Sequence, residues 1–375
     1  MKKYRIDEIT ENLDNLRKPL NSIQRSRISQ KKLYPYYGAN SLIDYVDEYI
    51  FDEEILCVAE DGGNWGYTEK CTYIVNEKCW VNNHAHVLRA KDNLNIAYLS
   101  YYLNYNDLNS HITGTTRGKL TKSALSNIEI LLPELEKQNI IVEILDKAQN
   151  LIDRRKEQIA MLDELVKSQF IEMFGDPVSN PMNWDKKRLA DECNIITGNT
   201  PSRKVEAYYG DYIEWIKSDN ITGAGVYLST AREYLSKQGL KVGRSIEKDS
   251  ILMTCIAGSI KCIGNVAIAD RKVAFNQQIN GIEPLKNNVY FMLQQFNLSQ
   301  KYIQSTINMS LKGILSKGQL SELEFIFPPI EKQNEFAEFF KQVDKLKFAM
   351  EKSLKELENN FNSLMQKAFK GELFN

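Results

Sequence analysis

Between Arg17 and Lys32 the chain carries six basic side chains (Arg17, Lys18, Arg25, Arg27, Lys31 and Lys32) and no acidic one. Serines, Asn21 and two glutamines lie among them. Such a stretch suits contacts to phosphates and base edges; a solvated basic loop has the same composition. Further polar and basic positions sit beside turns: Arg117 and Lys119 around Gly118, Thr200, Ser202, Arg203 and Lys204 around Pro201, then Lys217, Ser218 and Lys312. Arginine can bond guanine bidentately, while lysine acts mainly as a point charge for phosphate. These fourteen residues, omitting Lys32, are the candidate DNA contacts.

Bond-making chemistry finds no comparable set. An N6-adenine methyltransferase needs an Asn/Asp-Pro-Pro-aromatic element for the flipped base and a glycine-rich turn for its methyl donor. The Pro-Pro pair here is Phe327-Pro328-Pro329-Ile330, with neither the preceding amide or carboxylate nor the following aromatic. Gly114-Thr115-Thr116-Arg117-Gly118-Lys119-Leu120 imitates a phosphate loop but is one residue short and lacks the final hydroxyl. Gly223-Ala224-Gly225 is a lone turn. His84 and His86 would point to one face of a strand; without a nearby cysteine or acidic third ligand, a hydrogen-bonding role is expected rather than metal. Neither a nuclease cluster nor a nucleophile triad is found. The expectation is a chain that catalyses nothing and holds no cofactor or metal.

The elements that must position these residues come in duplicate. From about Pro133 to Met173, apolar residues keep a seven-residue beat, with Leu145, Ile152, Ile159, Val166 and Met173 on one position. Ile141, Ala148 and Leu162 hold the other, interrupted by Arg155 and Gln169. This is a narrow seam for a partner helix on a rod of roughly 60 Å. Leu125-Ser126 through Pro133 and Glu136-Lys137-Gln138-Asn139 recur as Leu320-Ser321 through Pro328 and Glu331-Lys332-Gln333-Asn334. The same shift carries the seam onto Phe340, Lys347, Leu354, Phe361 and Ala368, with Phe336, Val343, Met350, Leu357 and Leu364. Mutual pairing is expected over two unrelated helices each packed on its own domain; if the pairing is antiparallel, a globule sits at either end of the rod. DNA has local two-fold axes that a two-headed reader could match.

The expected division is a mixed α/β globule over 1–133, a long helix over 134–174, a second globule over 175–328 and a second helix over 329–375. Strands are expected at Phe51 to Ala59, Cys71 to Val75 and Trp80 to Leu88, and a helix at Ile96 to Leu108. The globules echo each other: Tyr36-Tyr37-Gly38 answers Tyr208-Tyr209-Gly210, Asp61-Gly62 answers Ala257-Gly258, Asn83 answers Asn276, and Gly118 and Leu120 answer Gly313 and Leu315. Apolar and charged fractions of 43% and 26% and a net charge of −1 are ordinary for a soluble protein. No apolar run is long enough to span a membrane, and no export leader is evident. Six scattered cysteines read as reduced thiols in a cytoplasmic protein.

Architecture and motifs together resemble the specificity (S) subunit of type I restriction-modification enzymes. The matching stretches are Tyr34-Pro35-Tyr36-Tyr37-Gly38-Ala39-Asn40, Glu60-Asp61-Gly62, Asn83-His84-Ala85-His86 and Arg117-Gly118-Lys119-Leu120. In the second half they are Ile196 to Ser202, Tyr209 to Ile216, Leu323 to Gln333, and the closing Gln366 to Leu373. The resemblance implies an α/β fold with two target-recognition domains separated by two long antiparallel coiled-coil helices, an internal pseudo-two-fold repeat. It implies double-stranded DNA as ligand, each domain reading half of a bipartite asymmetric target. It also implies two adenine-methyltransferase (M) subunits docked on the helices and, for restriction, ATP-dependent R subunits. A protein-binding scaffold with duplicated heads is the alternative, and a stand-alone methyltransferase is opposed by the missing elements.

Overall fold

The computed structural model describes residues 2–114, 116–307 and 313–373. They fall into two compact units, Met1–Arg155 with Ser353–Asn375, and Lys156–Lys352. Each unit holds one globular head and a part of each of two long helices, Leu135–Phe174 and Ile330–Lys370.

The first head is built on a four-stranded antiparallel sheet in the order Thr10–Asn12, Ala85–Ala90, Ile55–Ala59, Thr72–Val75. Ile55–Ala59 is apolar at every position and wholly buried, so it sits inside the sheet with both faces covered. A smaller sheet runs Leu42–Val46, Tyr34–Tyr37, Trp80–Val81, its last pair parallel. A ribbon of Lys2–Arg5 with Glu129–Leu132 closes the head. Helix Ile96–Tyr105 starts at Asn95, whose side chain accepts the N–H groups of Ala97 and Tyr98. The expected strand from Trp80 to Leu88 is two strands. Asn82 Oδ1 accepts the N–H of His84 at 2.8 Å, a side-chain turn that moves the chain from the small sheet to the large one.

The second head repeats this plan. Its main sheet runs Cys193–Thr197, Ile279–Pro284, Ser250–Thr254, Val266–Ala269, and Tyr209–Ile216 lies parallel to Val273–Phe275 in the other sheet. Backbone pairing corrects three of the sequence equivalences. Asn82 and Asn276 each donate a backbone N–H at 3.0 Å, to Tyr37 and Ile216 respectively. So Asn82, not Asn83, answers Asn276, and Tyr36-Tyr37 answers Trp215-Ile216 rather than Tyr208-Tyr209. Tyr36 and Tyr37 end their strand, whereas Tyr208 precedes the longer strand of the second head and Tyr209 begins it. Bridges of Asp61 to Lys119 and of Ile256 to Ile314 make Ile256, not Ala257, the counterpart of Asp61. Gly118 and Leu120 do answer Gly313 and Leu315, because Leu120 and Leu315 donate alike to Glu60 and Cys255, at 2.8 and 2.9 Å.

Within each unit the two long helices run antiparallel. In the second unit Phe170 and Phe174 meet Phe336, ring centroids 5.3 and 5.9 Å apart, while Asp163 on the earlier turns pairs with Lys347 at 2.5 Å. In the first, Ile141 and Leu145 share a core with Met365, Ala368 and Phe369. Of the expected seam, Leu145, Ile152, Leu162 and Val166 are buried. Ile159, Met350, Leu354, Leu357, Phe361 and Leu364 are half-buried. Towards the ends of both helices the stripe leaves the heptad: Phe170 and Phe174 are fully buried where Gln169 and Met173 are only partly so. A helix with 3.6 residues per turn drifts from a strict seven-residue repeat. Here the last turns must also cover the head's own helix, Val289–Leu298, where Phe291 stacks on Phe170 at 5.4 Å. Gly175 and Gly371, at φ +75° and +76°, end the two helices in the left-handed conformation.

The repeated Glu-Lys-Gln-Asn entry has a structural purpose. Gln138 is fully buried; its Oε1 accepts the Asn95 N–H at 2.8 Å, and its Nε2 donates to the carbonyls of Asn93 and Pro133 at 2.9 and 2.8 Å. Gln333 does the same with the Asn288 N–H, Asn287 Oδ1 and Pro328 O at 2.9, 2.9 and 2.8 Å. Asn139 and Asn334 accept from Asn95 and Asn288 at 2.8 and 2.9 Å. Each long helix is thereby fastened by its first turn to the N-cap of its head's helix. Gln138→Leu, which fills the space but orphans these backbone groups, is expected to cost about 2–4 kcal/mol, read as a lowered urea midpoint.

Candidate nucleic-acid interface

The corner where the chain changes sheets gathers the charged residues of the first head. Ala85–Ala90 begins there, bringing His86 beneath the surface beside Asp14, Glu60 and Arg17. His86 Nδ1 lies 2.6 Å from Asp14 and Nε2 lies 2.8 Å from the carbonyl of Leu120, so each ring nitrogen faces an acceptor. Arg17 donates to Glu60 at 2.7 Å and to the carbonyl of Ala85 at 2.6 Å, and lies 3.3 Å from Asp14. Lys119 reaches the other oxygen of Glu60 at 2.9 Å. Burial pushes the Asp14 carboxyl up, but His86, the Val87 N–H and Arg17 together hold it below its ordinary value. For Glu60, burial is likewise outweighed by Lys119, Arg17 and His86.

Asp14, Glu60 and His86 bring one ligand atom each within 4.8 Å of one another, supplying the acidic neighbours that the sequence did not reveal beside the histidines. The positive charge among them is already that of Arg17, and His86 has both nitrogens engaged. The donor set therefore does not fit a metal ion. His84 does not share a face with His86: it sits in the turn before the strand, half exposed, with Nδ1 2.9 Å from both oxygens of Asp61.

Depressed carboxylates of this kind make a signed prediction. Their contribution to stability is complete above the ordinary carboxylate range and is lost as pH falls through the lower folded-state values. Glu60→Gln is expected to be less stable than the parent at pH 7 and to approach it below about pH 4. Thermal unfolding at the two pH values checks this.

The second head builds the same corner without carboxylates, and Arg244 donates to the carbonyl of Thr197 there at 2.6 Å. The strand register sets Thr197, Cys255 and Asn280 where the first head has Asp14, Glu60 and His86. The Thr197 hydroxyl donates to Asn280 Oδ1 at 2.7 Å, and Asn280 Nδ2 lies 3.2 Å from Cys255 Sγ. At the rim, Asp61, His84 and Lys119 are answered by Ile256, Gln278 and Ile314.

The sequence candidates divide accordingly. Arg17, expected to contact DNA, is a largely covered cation whose side chain is 12% exposed and paired with Glu60 and Asp14; a basic run read by composition cannot reveal carboxylates that arrive from distant strands. Arg25 pairs with Asp44 at 3.1 Å and lies over the Tyr36 ring. Lys18, Arg27 and Lys31 are exposed. Arg117 pairs with Asp61 at 2.9 Å yet stays 63% exposed. In the second head Arg203 and Lys217 flank Trp215 and share Glu233, with Arg203 2.6 Å from it. Thr200 donates to Gln277, Ser202 and Lys204 are exposed, and Ser218 is half-buried. Lys312 lies outside the described residues. Sequence reasoning left Asp61 and His84 out of the candidate set, although both fall in quoted motifs and the fold sets them together at this corner; the signal was an acidic and an imidazole side chain beside glycine and turn positions.

The sequence matches the type I restriction modification DNA specificity domain over residues 1–163 and again over 181–359. It is 39% identical over 141 residues to a Haemophilus influenzae chain provisionally named a type I restriction enzyme specificity subunit, covering 38% of this chain and 35% of that one. It is 25% identical over 302 residues to the EcoBI specificity subunit of Escherichia coli, covering 71% of this chain and 63% of that one. The chain thus spans between about a third and two thirds of these relatives, 35% and 63% of their lengths. The crystal structure of a type I restriction-modification S subunit from M. genitalium shares the fold, with a TM-score of 0.62 at 15% identity, covering 98% of this chain and 96% of that one.

Proposed function

The chain belongs to the type I restriction-modification DNA specificity family, and from that premise we propose that it is the sequence-reading subunit of such a complex. Each head reads one half of a bipartite, asymmetric double-stranded target, and the long helices set the unread gap between the halves. The observation that carries the proposal is the paired corner: one backbone plan is used twice, with Asp61, His84 and Lys119 in one head and Ile256, Gln278 and Ile314 in the other. Two heads that share a frame but differ at the rim suit two different half-sites.

The chain itself catalyses nothing; two adenine-methyltransferase subunits supply the chemistry of modification, and R subunits that of restriction. The helices offer surfaces for the former. Met161 and Phe348 in the second unit are 65% and 72% exposed, and Leu151 in the first is 54% exposed. Large apolar side chains left in water on a long helix suit a protein partner. Among the described residues no helix is long and apolar enough to cross a membrane, in keeping with a complex that works on DNA in the cytoplasm.

The test is modification sequencing of DNA from cells making this chain with its methyltransferase partner. Adenine methylation is expected in a split motif, and exchanging residues 184–327 for those of a relative should alter one half only. Absence of sequence-dependent DNA retention with the partner present would favour a protein-binding scaffold.

A further inference from the structure

We propose that Asp61, His84 and Arg117 form a preset reader for one guanine in the half-target of the first head. The assignment rests on the DNA-reading function proposed above and names the base and the side chains. Asp61 follows the buried strand Ile55–Ala59 and is held by its antiparallel bridge to Lys119. Its largely covered carboxylate faces His84 Nδ1 with both oxygens and Arg117 Nη2 with Oδ1, each at 2.9 Å. Two donors on separate loops are therefore fixed by one acceptor before any ligand arrives.

The loop geometry serves the guanidinium in particular. Arg117 stands on the turn between Ile112–Thr113 and Lys119–Leu120. Gly62 lies flat beneath it at φ +64°, and a Cβ there would come within 2.8 Å of Arg117 Nη2. Of the five guanidinium N–H groups, Asp61 can engage only part, leaving a fork of donors on a side chain that is mostly exposed. The nearby carboxylate also decides which acceptor fits. A phosphate there would place two anions together, whereas a neutral pair of acceptors pays no such penalty. Guanine O6 and N7 in the major groove are such a pair, at the spacing of an arginine fork. Lys18, Arg27 and Lys31 are exposed without such a carboxylate among the described ion pairs, which suits them to phosphate. At the corresponding positions the second head has Ile256 and Gln278 and cannot build this reader.

The experiment uses the full chain with its methyltransferase partner and oligonucleotides carrying the target found by modification sequencing. Each guanine of the first half, on either strand, is replaced in turn by 7-deazaguanine, which lacks only the N7 acceptor. The parent is expected to lose about ten- to a hundred-fold in affinity at one position. Arg117→Ala should show that loss already on the natural target and no more at the substituted position, as a coupled pair requires. Asp61→Asn, which keeps the shape but frees the arginine, should reduce discrimination between guanine and adenine there by about ten-fold. Sequence-dependent binding in which every 7-deazaguanine is tolerated, or costs Arg117→Ala as much as the parent, would overturn the reader and leave the proposed function standing. An Arg117→Ala variant that merely lowers the salt dependence, whatever the base, would identify a phosphate contact and overturn it too. Loss of all sequence dependence in the parent would overturn both.

Discussion

Arg17→Ala is expected to destabilise the first unit by about 3–5 kcal/mol, the usual cost of stranding a buried charge. Asp14 and Glu60 face the same guanidinium, and their side chains are 7% and 12% exposed. Without it, one carboxylate must take up a proton or the corner must open to water. Arg17→Lys should recover only part of the loss, because an ammonium cannot bond Glu60 and the Ala85 carbonyl in one plane. Denaturant unfolding followed through Trp65 and Trp80, both in the first head, reads the result. Unchanged unfolding with weakened DNA binding would instead support Arg17 as a DNA contact.

Phe170→Ala should cost the second unit a similar amount, about 3–5 kcal/mol, as expected for deleting a fully buried aromatic side chain. Its ring lies 5.4 Å from Phe291, 5.0 Å from Phe174 and 5.3 Å from Phe336. It joins the head's helix to both long helices within the unit, so little can collapse into the space. Phe170→Leu should cost markedly less. The same unfolding experiment, monitored through Trp184 and Trp215, checks the pair.

How far the sequence could be read depended on the range of the interactions. The repeat of Glu136 to Asn139 at Glu331 to Asn334 and the heptad apolar residues were visible because helices print local periodicity on the chain. The drift onto Phe170, Phe174 and Phe369 was hidden, since it answers to a head helix some distance away in sequence. The break at Asn82 inside an apparently continuous strand was hidden for a different reason: one side-chain hydrogen bond overrides favourable strand composition. At the candidate interface, the basic run from Arg17 to Lys32 was read as one set, although its members meet different neighbours. Charge composition cannot say that Arg17 faces Glu60 inside the head while Lys18 faces water. Asp61 and His84 lie 23 residues apart and become one arrangement only when two sheets share a corner.

The fastening of each head by Gln138 or Gln333 bears on how such a chain could change over generations. The glutamine bonds mostly to main-chain atoms and to an asparagine cap, groups that do not depend on the side chains at a head's rim. A foreign head that kept an asparagine at its own helix start could be spliced in upstream of the Glu-Lys-Gln-Asn stretch and still seat correctly. A different head could then be acquired as a cassette, with the seating on the long helix inherited intact.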